Sequence, residues 1–542
     1  MKLMTCTLLI LSTVAASISL TTITALADPN NVAVNNQPTG WTAKTLPEIG
    51  DALAVGQVTS KDLVEAYLER IGKIDRSGPK LRSIISINPD ALLEAHRLDA
   101  LRASGTVLGR LHGVPVLLKD NIESKDNMAT TAGALALRDN ITSRDSPLVA
   151  GLRAQGAIIL GKTNLSQWAN FRSEDSMSGW SAIGGQVKNP HILDRNPCGS
   201  SSGSGAAMAA SLAAATVGTE TNGSIICPSN ANGIVGFKPT VGLVSQQYIV
   251  PISSSQDTAG PMTKTVTGAA MMLTAMATDA KIDYVEALKG ATLKGKRIGI
   301  LKFAEGTNKD IQRLFHDAVE VIRSAGAELV EIKKSPVTNS NFWEDAGTVL
   351  DYEFKATINA YLASTPNTIK TRTLDDLIAF NKEHADIELE LFDQSIWEKA
   401  SPLGDLTTPD YILARNRIQA ATRDAGIDAM VDAYGVEILI SPSGSVASLR
   451  DTVNGDVSAS SAGAGWMAAV AGYPHATVPM GTVHGIPAGI SFISGKDRDA
   501  EVLVAAFTYE QLSNKRVEPR YLPSATVRDE IAPALEGVLY RD

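Results

Sequence analysis

The chain has 542 residues, of which 44% are hydrophobic and 20% are charged. This composition is typical of a globular protein with enough apolar material for a large core. The formal net charge is −9 at pH 7, and the charges are scattered along the chain. Composition therefore does not favour nucleic acid or an anionic membrane as a partner.

Residues 1–27 have the pattern of a cleaved signal peptide. Lys2 supplies a positive charge, Leu8 to Leu20 is uncharged and apolar, and Ala25-Leu26-Ala27 fits a cleavage site before Asp28. A retained membrane anchor is the alternative, although the strictly apolar part is short for a span of about 20 residues. We therefore expect a secreted or periplasmic protein, residues 28–542, with no stable membrane span.

Apolar periodicity and turn residues predict helices that alternate with strands along most of the chain. This alternation indicates an α/β fold in which one large domain has a sheet covered by helices. The predicted helices are 46–71 (broken at Gly56, with a second N-cap at Thr59-Ser60), 90–104, 146–155, 310–325, 462–470 and 501–512. The predicted strands are 82–87, 111–118, 157–161, 297–301, 437–441, 476–479 and 490–493.

The region from about 281 to 433 differs from the rest of the chain. It begins with another α/β unit and continues into long charged segments, such as 373–391, with a helical pattern. Ordinary surface helices would explain the pattern. We interpret the region instead as a helical insertion that caps a cleft and shapes the choice of substrate.

Small residues dominate the stretch from Asn196 to Ser229. A serine-glycine run leads into 206–216, which suits a tightly buried helix, and Cys227-Pro228 is predicted to end regular structure. No Lys-Ser or Lys-Thr follows the run, so it is not a phosphate-binding loop. The chain has no Cys-x-x-Cys and no His-Glu-x-x-His, which argues against a zinc site. We expect Cys198 and Cys227 to be free thiols, although a bridge between them is the alternative.

Two nucleophile patterns compete in and near this stretch. Gly199 to Gly203 matches Gly-x-Ser-x-Gly, which would make Ser201 the nucleophile of an α/β-hydrolase with a histidine downstream. The candidate histidines are His316, His384, His475 and His484, of which His475 has the surroundings of a packed residue.

The competing pattern starts from Lys119, which ends an apolar strand. Burial lowers the pKa of a lysine and makes it a usable base, whereas pairing with Asp120 would make it structural.

Several ordered motifs resemble the amidase signature family, and within it the bacterial peptide amidases. The resemblance runs from about Trp41 to Leu512 and is weakest between 281 and 433. The motifs are Gly-Val-Pro-Val-Leu-Leu-Lys119-Asp-Asn, Gly161-Lys-Thr-Asn-Leu-Ser166, Cys-Gly-Ser200-Ser-Ser-Gly-Ser, Gly-Thr-Glu-Thr-Asn-Gly-Ser224-Ile, Gly236-Phe-Lys-Pro-Thr240, Gln256-Asp-Thr-Ala-Gly-Pro261 and Gly472-Tyr-Pro474.

The resemblance implies a central mixed, twisted sheet and a Ser-Ser-Lys triad that needs no metal or cofactor. Ser224 would attack the amide, Ser200 would relay its proton from a cis peptide, and Lys119 would be the terminal base. Backbone amides of residues Thr221, Asn222, Gly223 and Ser224 would form an oxyanion hole for the tetrahedral intermediate. An acyl-enzyme would then be hydrolysed by water.

Two departures from the family pattern bear on the substrate. Asn222 stands where many members have glycine, and its tolerance of left-handed backbone should preserve the turn. Ile226 and Cys227 stand where members that act on carboxylate-bearing substrates have an arginine. This implies a neutral or apolar pocket beside the scissile amide. Ser201, Ile226 and Cys227 are the expected substrate-binding or supporting residues.

We therefore expect a monomeric amidase that releases ammonia from a small-molecule or peptide amide. The expected substrate is the C-terminal amide of a peptide. The alternative is a broader activity on aryl, aliphatic or fatty acyl amides.

Overall fold

The computed structural model describes residues 36–277, 282–457, 461–528, 531 and 534–535. The predicted signal peptide at 1–27 lies outside these residues. Within them, no helix combines the length and the apolar character needed to cross a membrane.

A mixed sheet of eleven strands forms the centre of the molecule, which confirms the predicted fold class. In chain order the strands are β1 Ile84–Ile87, β2 Pro115–Lys119, β3 Ile158–Thr163, β4 Trp180–Ser181, β5 Gly185–Gln186, β6 Ala215–Glu220, β7 Val235–Lys238, β8 Thr258–Thr263, β9 Arg297–Leu301, β10 Glu328–Ile332, β11 Ile438–Pro442, β12 His475–Val483 and β13 Ile486–Ile493. The sheet order is β1-β3-β2-β6-β8-β7-β12-β13-β11-β9-β10, while β4 and β5 pair separately.

Helices cover this sheet, and the predicted helices 46–71, 90–104, 146–155, 310–325, 462–470 and 501–512 have observed bounds within a few residues of the predicted ones. They are α1 Leu46–Ala54, α2 Ser60–Ile71, α3 Ala91–Ala103, α4 Pro147–Ala154, α5 Ser202–Ala209, α6 Ile226–Asn232, α7 Val266–Met276, α8 Tyr284–Ala287, α9 Lys309–Ser324, α10 Phe342–Ala363, α11 Leu374–Glu383, α12 Ala385–Glu388, α13 Ser395–Ala400, α14 Pro409–Thr422, α15 Asp428–Tyr434, α16 Gly465–Ala471 and α17 Asp499–Ser513.

The beginning of α2 shows how local sequence determines an element. The hydroxyl of Thr59 accepts a hydrogen bond from the Asp62 amide at 3.1 Å, and the Asp62 carboxylate accepts one from the Thr59 amide at 3.2 Å. This capping box satisfies amides that have no partner in the first turn. Leu63, Tyr67 and Ile71 then recur on one face and are buried, so the predicted N-cap and apolar face are confirmed.

Strand β2 lies between β3 and β6, and both pairs are parallel. All five of its residues are buried, as expected for a parallel strand covered on both faces. Lys119 is its last residue and therefore lies at the carboxyl end, next to the end of β6. Loops beyond the carboxyl ends of neighbouring parallel strands are where α/β proteins place their ligands.

Two expectations for the small-residue stretch are wrong. The buried helix ends at Ala209 rather than 216, because β-branched residues such as Thr216 and Val217 favour the strand that follows. Cys227-Pro228 does not end regular structure but lies inside α6. Pro228 is in the first turn of that helix, where an amide hydrogen has no intrahelical partner to lose.

The region from 281 to 433 contributes to both the sheet and a separate helical layer. Strands β9 and β10 add to the edge of the main sheet, whereas the segments from 342 onward are helical. The segment 373–391 is not one continuous helix, because His384 leaves helical geometry between α11 and α12. Phe354 and Trp397 of the helical layer pack with Trp168 and Phe171 of the main body.

Candidate active site

Lys119 is completely buried at the carboxyl end of β2. Its Nζ atom lies 2.8 Å from Ser200 Oγ, 2.8 Å from Thr219 Oγ1 and 3.3 Å from the Thr219 carbonyl oxygen. The carboxylate of Asp120 instead accepts hydrogen bonds from the amide and hydroxyl of Thr131. Lys119 is therefore bound to hydroxyl groups and not paired with its neighbour in the sequence.

Burial lowers the pKa of Lys119 to about 7, although the charges of Asp257 and Glu220 oppose the shift. A neutral amine has two hydrogens and one lone pair. The two oxygens of Thr219 can accept both hydrogens, which leaves the lone pair for the hydroxyl of Ser200. Asn121 fixes Thr219 by donating to the same Oγ1 at 3.0 Å. The site thus favours a neutral Lys119 that accepts a proton from Ser200.

Ser200 follows a cis peptide bond between Gly199 and Ser200, as the resemblance implied. Its carbonyl oxygen accepts a hydrogen bond from the Ser166 amide at 3.0 Å. A Cβ atom on Gly199 would lie 2.2 Å from Ser166 Oγ, so only glycine fits before the serine. These contacts hold the Ser200 hydroxyl over Lys119.

Ser201 connects the segments that contain Ser200 and Ser224. Its hydroxyl donates to the Thr219 carbonyl at 3.0 Å and accepts from the Thr219 amide at 3.1 Å. Its own amide donates to the Ser224 carbonyl at 3.2 Å. Ser201 is buried, and its hydrogen bonds support the segments that contain Ser200 and Ser224.

Glu220 fixes the turn that ends in Ser224. Its buried carboxylate accepts hydrogen bonds from the amides of Ile225 at 2.8 Å and Ile226 at 3.0 Å. The chain must therefore fold back on itself between these residues. Gly223 has φ +81° and adopts the left-handed conformation of the turn, whereas Asn222, which we expected to tolerate it, does not.

The turn leaves hydrogen-bond donors unused. In the part of the chain that the structure describes, no protein acceptor is bonded to the four predicted oxyanion amides, those of Thr221, Asn222, Gly223 and Ser224. The hydroxyl of Ser224 also has no protein partner there, and a Cβ on Gly223 would meet open space. Amides near a buried surface are usually paired, so this group of free donors around one hydroxyl is suited to bind an oxyanion.

A second carboxylate, that of the half-buried Asp257, supports Thr221. Asp257 accepts hydrogen bonds from Thr221 Oγ1 at 2.6 Å and from the amides of Ile252 and Ser253 at 2.8 and 2.9 Å. Burial raises the pKa of Asp257 to about 6. Asp257, Thr219 and Glu220 all lie in motifs quoted above, although none of them had a predicted role. Their part becomes visible only when hydrogen-bond partners are known.

The expectation of free thiols at Cys198 and Cys227 is wrong, because the two residues form a disulfide. They are 29 residues apart in the sequence, but their Cα atoms are 5.8 Å apart, within the range that disulfides require. The loop before Ser200 packs against the first turn of α6, which brings the two side chains together. Cys227 is half-buried and Ile226 is buried, and neither places a charge beside Ser224.

The structure excludes the α/β-hydrolase alternative. The hydroxyl of Ser201 is occupied by the backbone of Thr219. Among the described hydrogen bonds, none joins Ser201 to any of the four candidate histidines. His475 is buried and bonded to Ser491 Oγ at 2.6 Å, and burial lowers its pKa to about 3. His475 is therefore a packed residue, as its sequence surroundings indicated.

Chelators are expected to leave activity unchanged. Across residues 36–277, 282–457 and 461–528, no three His, Cys, Asp or Glu side chains are grouped to hold a metal ion, and a lysine can serve as base without one. The measurement is the amide hydrolysis rate after dialysis against EDTA, with dialysis against buffer as the control. Loss of activity that zinc restores would contradict the prediction.

Comparison with known proteins agrees with this geometry. The sequence model of the family described as Amidase matches residues 62–503. The structure of native peptide amidase from Stenotrophomonas maltophilia is 42% identical, with a TM-score of 0.84, covering 89% of this chain and 99% of that one. An amidase family protein from Bacillus anthracis is 30% identical, with a TM-score of 0.78, over 91% and 98% of the two chains.

A protein of Arabidopsis thaliana named as a probable amidase is 36% identical over 497 residues, which are 88% of this chain and 91% of that protein. A Ser-Ser-Lys triad is characteristic of the matched family. Family model, relatives and fold agree, and the chain therefore belongs to the amidase signature family and is an amide-hydrolysing enzyme.

Proposed function

We propose that this enzyme is an exported serine amidase that releases ammonia from the C-terminal amides of peptides. Ser224 is the nucleophile, Ser200 relays its proton and Lys119 is the terminal base. The observation that carries the proposal is the 2.8 Å contact between the buried Lys119 Nζ and Ser200 Oγ. A completely buried lysine bound to a serine hydroxyl is suited to removing a proton.

In the first half of the reaction, Ser224 Oγ attacks the amide carbon while its proton passes to Ser200 and the Ser200 proton passes to Lys119. The free amides of residues 221–224 stabilise the oxyanion of the tetrahedral intermediate. Proton return through Ser200 to the amide nitrogen then allows ammonia to leave, which gives an acyl-enzyme. Ser200 and Ser224 are not hydrogen-bonded to each other in the described structure, so substrate binding must complete this contact, as is common for catalytic hydrogen bonds.

In the second half, water takes the position of the leaving ammonia. The same relay removes its proton, and Lys119 returns that proton through Ser200 to Ser224 Oγ as the second tetrahedral intermediate collapses. The products are free Ser224 and a carboxylic acid, which ionises in water. The relay runs through hydroxyl groups that both donate and accept, so Lys119 ends the cycle neutral. No group other than these three side chains and the backbone amides is needed.

The substrate class is proposed from the neighbouring peptide amidase and from the neutral surroundings of Ser224. The Stenotrophomonas structure is 42% identical over nearly its whole length. Ile226 and Cys227 provide no cation for a carboxylate next to the scissile bond. A peptide amide has no carboxylate at its amidated end, so it suits this neutral site.

The helical layer between 342 and 434 is proposed to shape the substrate cleft. Glu353 of α10 is fully buried and accepts hydrogen bonds from the amide and hydroxyl of Ser255, both at 3.0 Å, and from the hydroxyl of Ser253. The same loop contains Asp257, which holds Thr221. Changes in this helical layer can therefore alter the turn of residues 221–224, which we call the oxyanion turn, through one loop.

Export is proposed from the pattern of residues 1–27 and from the disulfide. Disulfides persist in oxidising compartments such as the periplasm or the extracellular medium, and they are rare in the cytosol. The cross-link between Cys198 and Cys227 supports export. Amino-terminal sequencing of protein recovered outside the cytoplasm should begin near Asp28.

An ammonia-release assay on a panel of amides tests the proposed substrate. The panel contains a peptide amide, the matching free amino acid amide, an aryl amide and a fatty acyl amide. We expect the peptide amide to have the highest kcat/KM, because its backbone can form hydrogen bonds in the cleft beyond the scissile bond that aryl and fatty acyl groups cannot form and that the free amino acid amide does not reach. Ammonia release from the aryl or fatty amide without release from any peptide amide would favour the broader amidase instead.

A further inference from the structure

We propose that the disulfide between Cys198 and Cys227 positions the relay serine against the nucleophile, so that full activity requires the oxidised enzyme. This inference rests on the proposed roles of Ser200 and Ser224. It goes beyond them because it makes the kcat of the enzyme depend on a covalent bond outside the reacting atoms.

The disulfide joins the two segments that must cooperate in proton transfer. Cys198 lies two residues before Ser200, and Cys227 lies three residues after Ser224. The two serine hydroxyls have no hydrogen bond between them in the described chain, so their separation is set by the segments that carry them. Displacement of a catalytic group by about 1 Å can cost about 100-fold in rate.

Hydrogen bonds also connect these segments at other places. The amide group of Asn232 donates to the Pro197 carbonyl at 2.9 Å, and that of Asn189 donates to the Ala231 carbonyl at 2.8 Å. Both lie toward the far end of α6, away from Ser224. Near the serines, the described hydrogen bonds that accompany the disulfide all involve Ser201, whose amide donates to the Ser224 carbonyl at 3.2 Å and whose hydroxyl bonds to the backbone of Thr219 at 3.0 and 3.1 Å.

The disulfide is also within reach of reductants. Both cysteines are half-buried and line an open cavity of about 220 Å³. Asn196, Asn230, Val446 and Asp456 contribute to its wall. A dithiol can therefore attack one sulfur, displace the other as a thiolate and close its own ring. The products are two cysteine thiols in the protein and one oxidised dithiol, so electrons and protons balance.

Reduction is expected to lower kcat about tenfold, because the distance between Ser200 and Ser224 can then vary. KM should change less than threefold, since substrate contacts outside the triad are retained. The position of the pH profile should also be unchanged, because the contact between Lys119 and Ser200 does not involve the disulfide. A role in global stability alone would lower the melting temperature and leave kcat at 25 °C unaltered.

The experiment compares oxidised wild-type enzyme, enzyme reduced with dithiothreitol under native conditions, and reduced enzyme reoxidised with glutathione disulfide. Thiol titration should find two new thiols after reduction, and circular dichroism should show an unchanged fold. The variant C198S/C227S, with and without dithiothreitol, should match the reduced wild type and should not respond to the reagent. If the variant does not fold, the reduced wild type still decides the result.

Unchanged kcat in an enzyme shown to carry both free thiols would overturn the proposal. If dithiothreitol cannot reduce the disulfide in the folded enzyme, the claim that the disulfide is accessible is wrong. If the C198S/C227S variant has full kcat, the claim that the disulfide positions the serines is wrong. Each state is also assayed on an aryl amide. If no state hydrolyses any peptide amide, the proposed function has failed; if all states do so equally, only this inference has failed.

Discussion

Replacement of Ser224 by alanine is expected to lower kcat for amide hydrolysis by a factor on the order of 10⁴ or more. The change removes the proposed nucleophile but retains the backbone amides of residues 221–224. The hydroxyl of Ser224 has no protein partner in the described structure, so its removal leaves no buried group unpaired. The free energy of unfolding should therefore change by less than about 0.5 kcal/mol.

Ammonia release from a peptide amide measures the loss of activity, and thermal unfolding measures the stability. Ser340→Ala is a matched control, because Ser340 is exposed and follows the edge strand β10, which is adjacent to neither β2 nor β6 in the sheet; it should have full activity. Substantial turnover by Ser224→Ala, or trapping of the acyl group on Ser201 in mass spectra of the wild type, would contradict the assignment of the nucleophile.

Replacement of Lys119 by alanine is expected to lower kcat by a factor on the order of 10³, within the range for a general base. Ser200 then has no group to accept its proton. Lys119→Arg should not restore activity, because guanidinium stays protonated at any pH at which the enzyme is folded. Lys61→Ala, which removes an exposed lysine of α2 paired with Glu65, is the control and should retain full activity.

The pH profile of the wild type follows from the lowered pKa of Lys119, about 7. Only the neutral amine accepts a proton, so kcat/KM should rise about tenfold per pH unit below pH 7 and level off above about pH 8. An unperturbed lysine would instead give a rise that continues towards pH 10. A plateau that begins near pH 10, or a Lys119→Ala variant with the same profile as the wild type, would contradict the assignment.

The motifs of the sequence predicted most of the candidate site. Lys119, Ser200 and Ser224 were assigned their roles because each lies in a short motif that resembles the amidase signature family. The fold class also followed from the sequence, since apolar periodicity requires no knowledge of which strands pair. Helix α2, with its N-cap at Thr59, is one example in which nearest neighbours along the chain determined the structure.

Expectations failed where a residue's state depends on partners distant in the sequence. Composition alone favoured free thiols, but Cys198 and Cys227 meet only because the loop before Ser200 packs on α6. Pro228 was interpreted as a helix breaker. The hydrogen bonds that Glu220 accepts from the start of α6 place Pro228 in the first turn, where a proline does not interrupt the helix. Glu220 and Asp257 had no assigned role, because the amides that they bind come from folded turns.

The sequence by itself determined the α/β class, the family and the three side chains of the proposed triad, because these depend on local periodicity and on residues recognisable in short motifs. Only the tertiary structure decided which groups surround them. Burial between β3 and β6 removes water from Lys119 and lowers its pKa, and Thr219 takes both hydrogens of the neutral amine. These effects arise from contacts across about 100 residues of chain, which packing creates and no local pattern encodes.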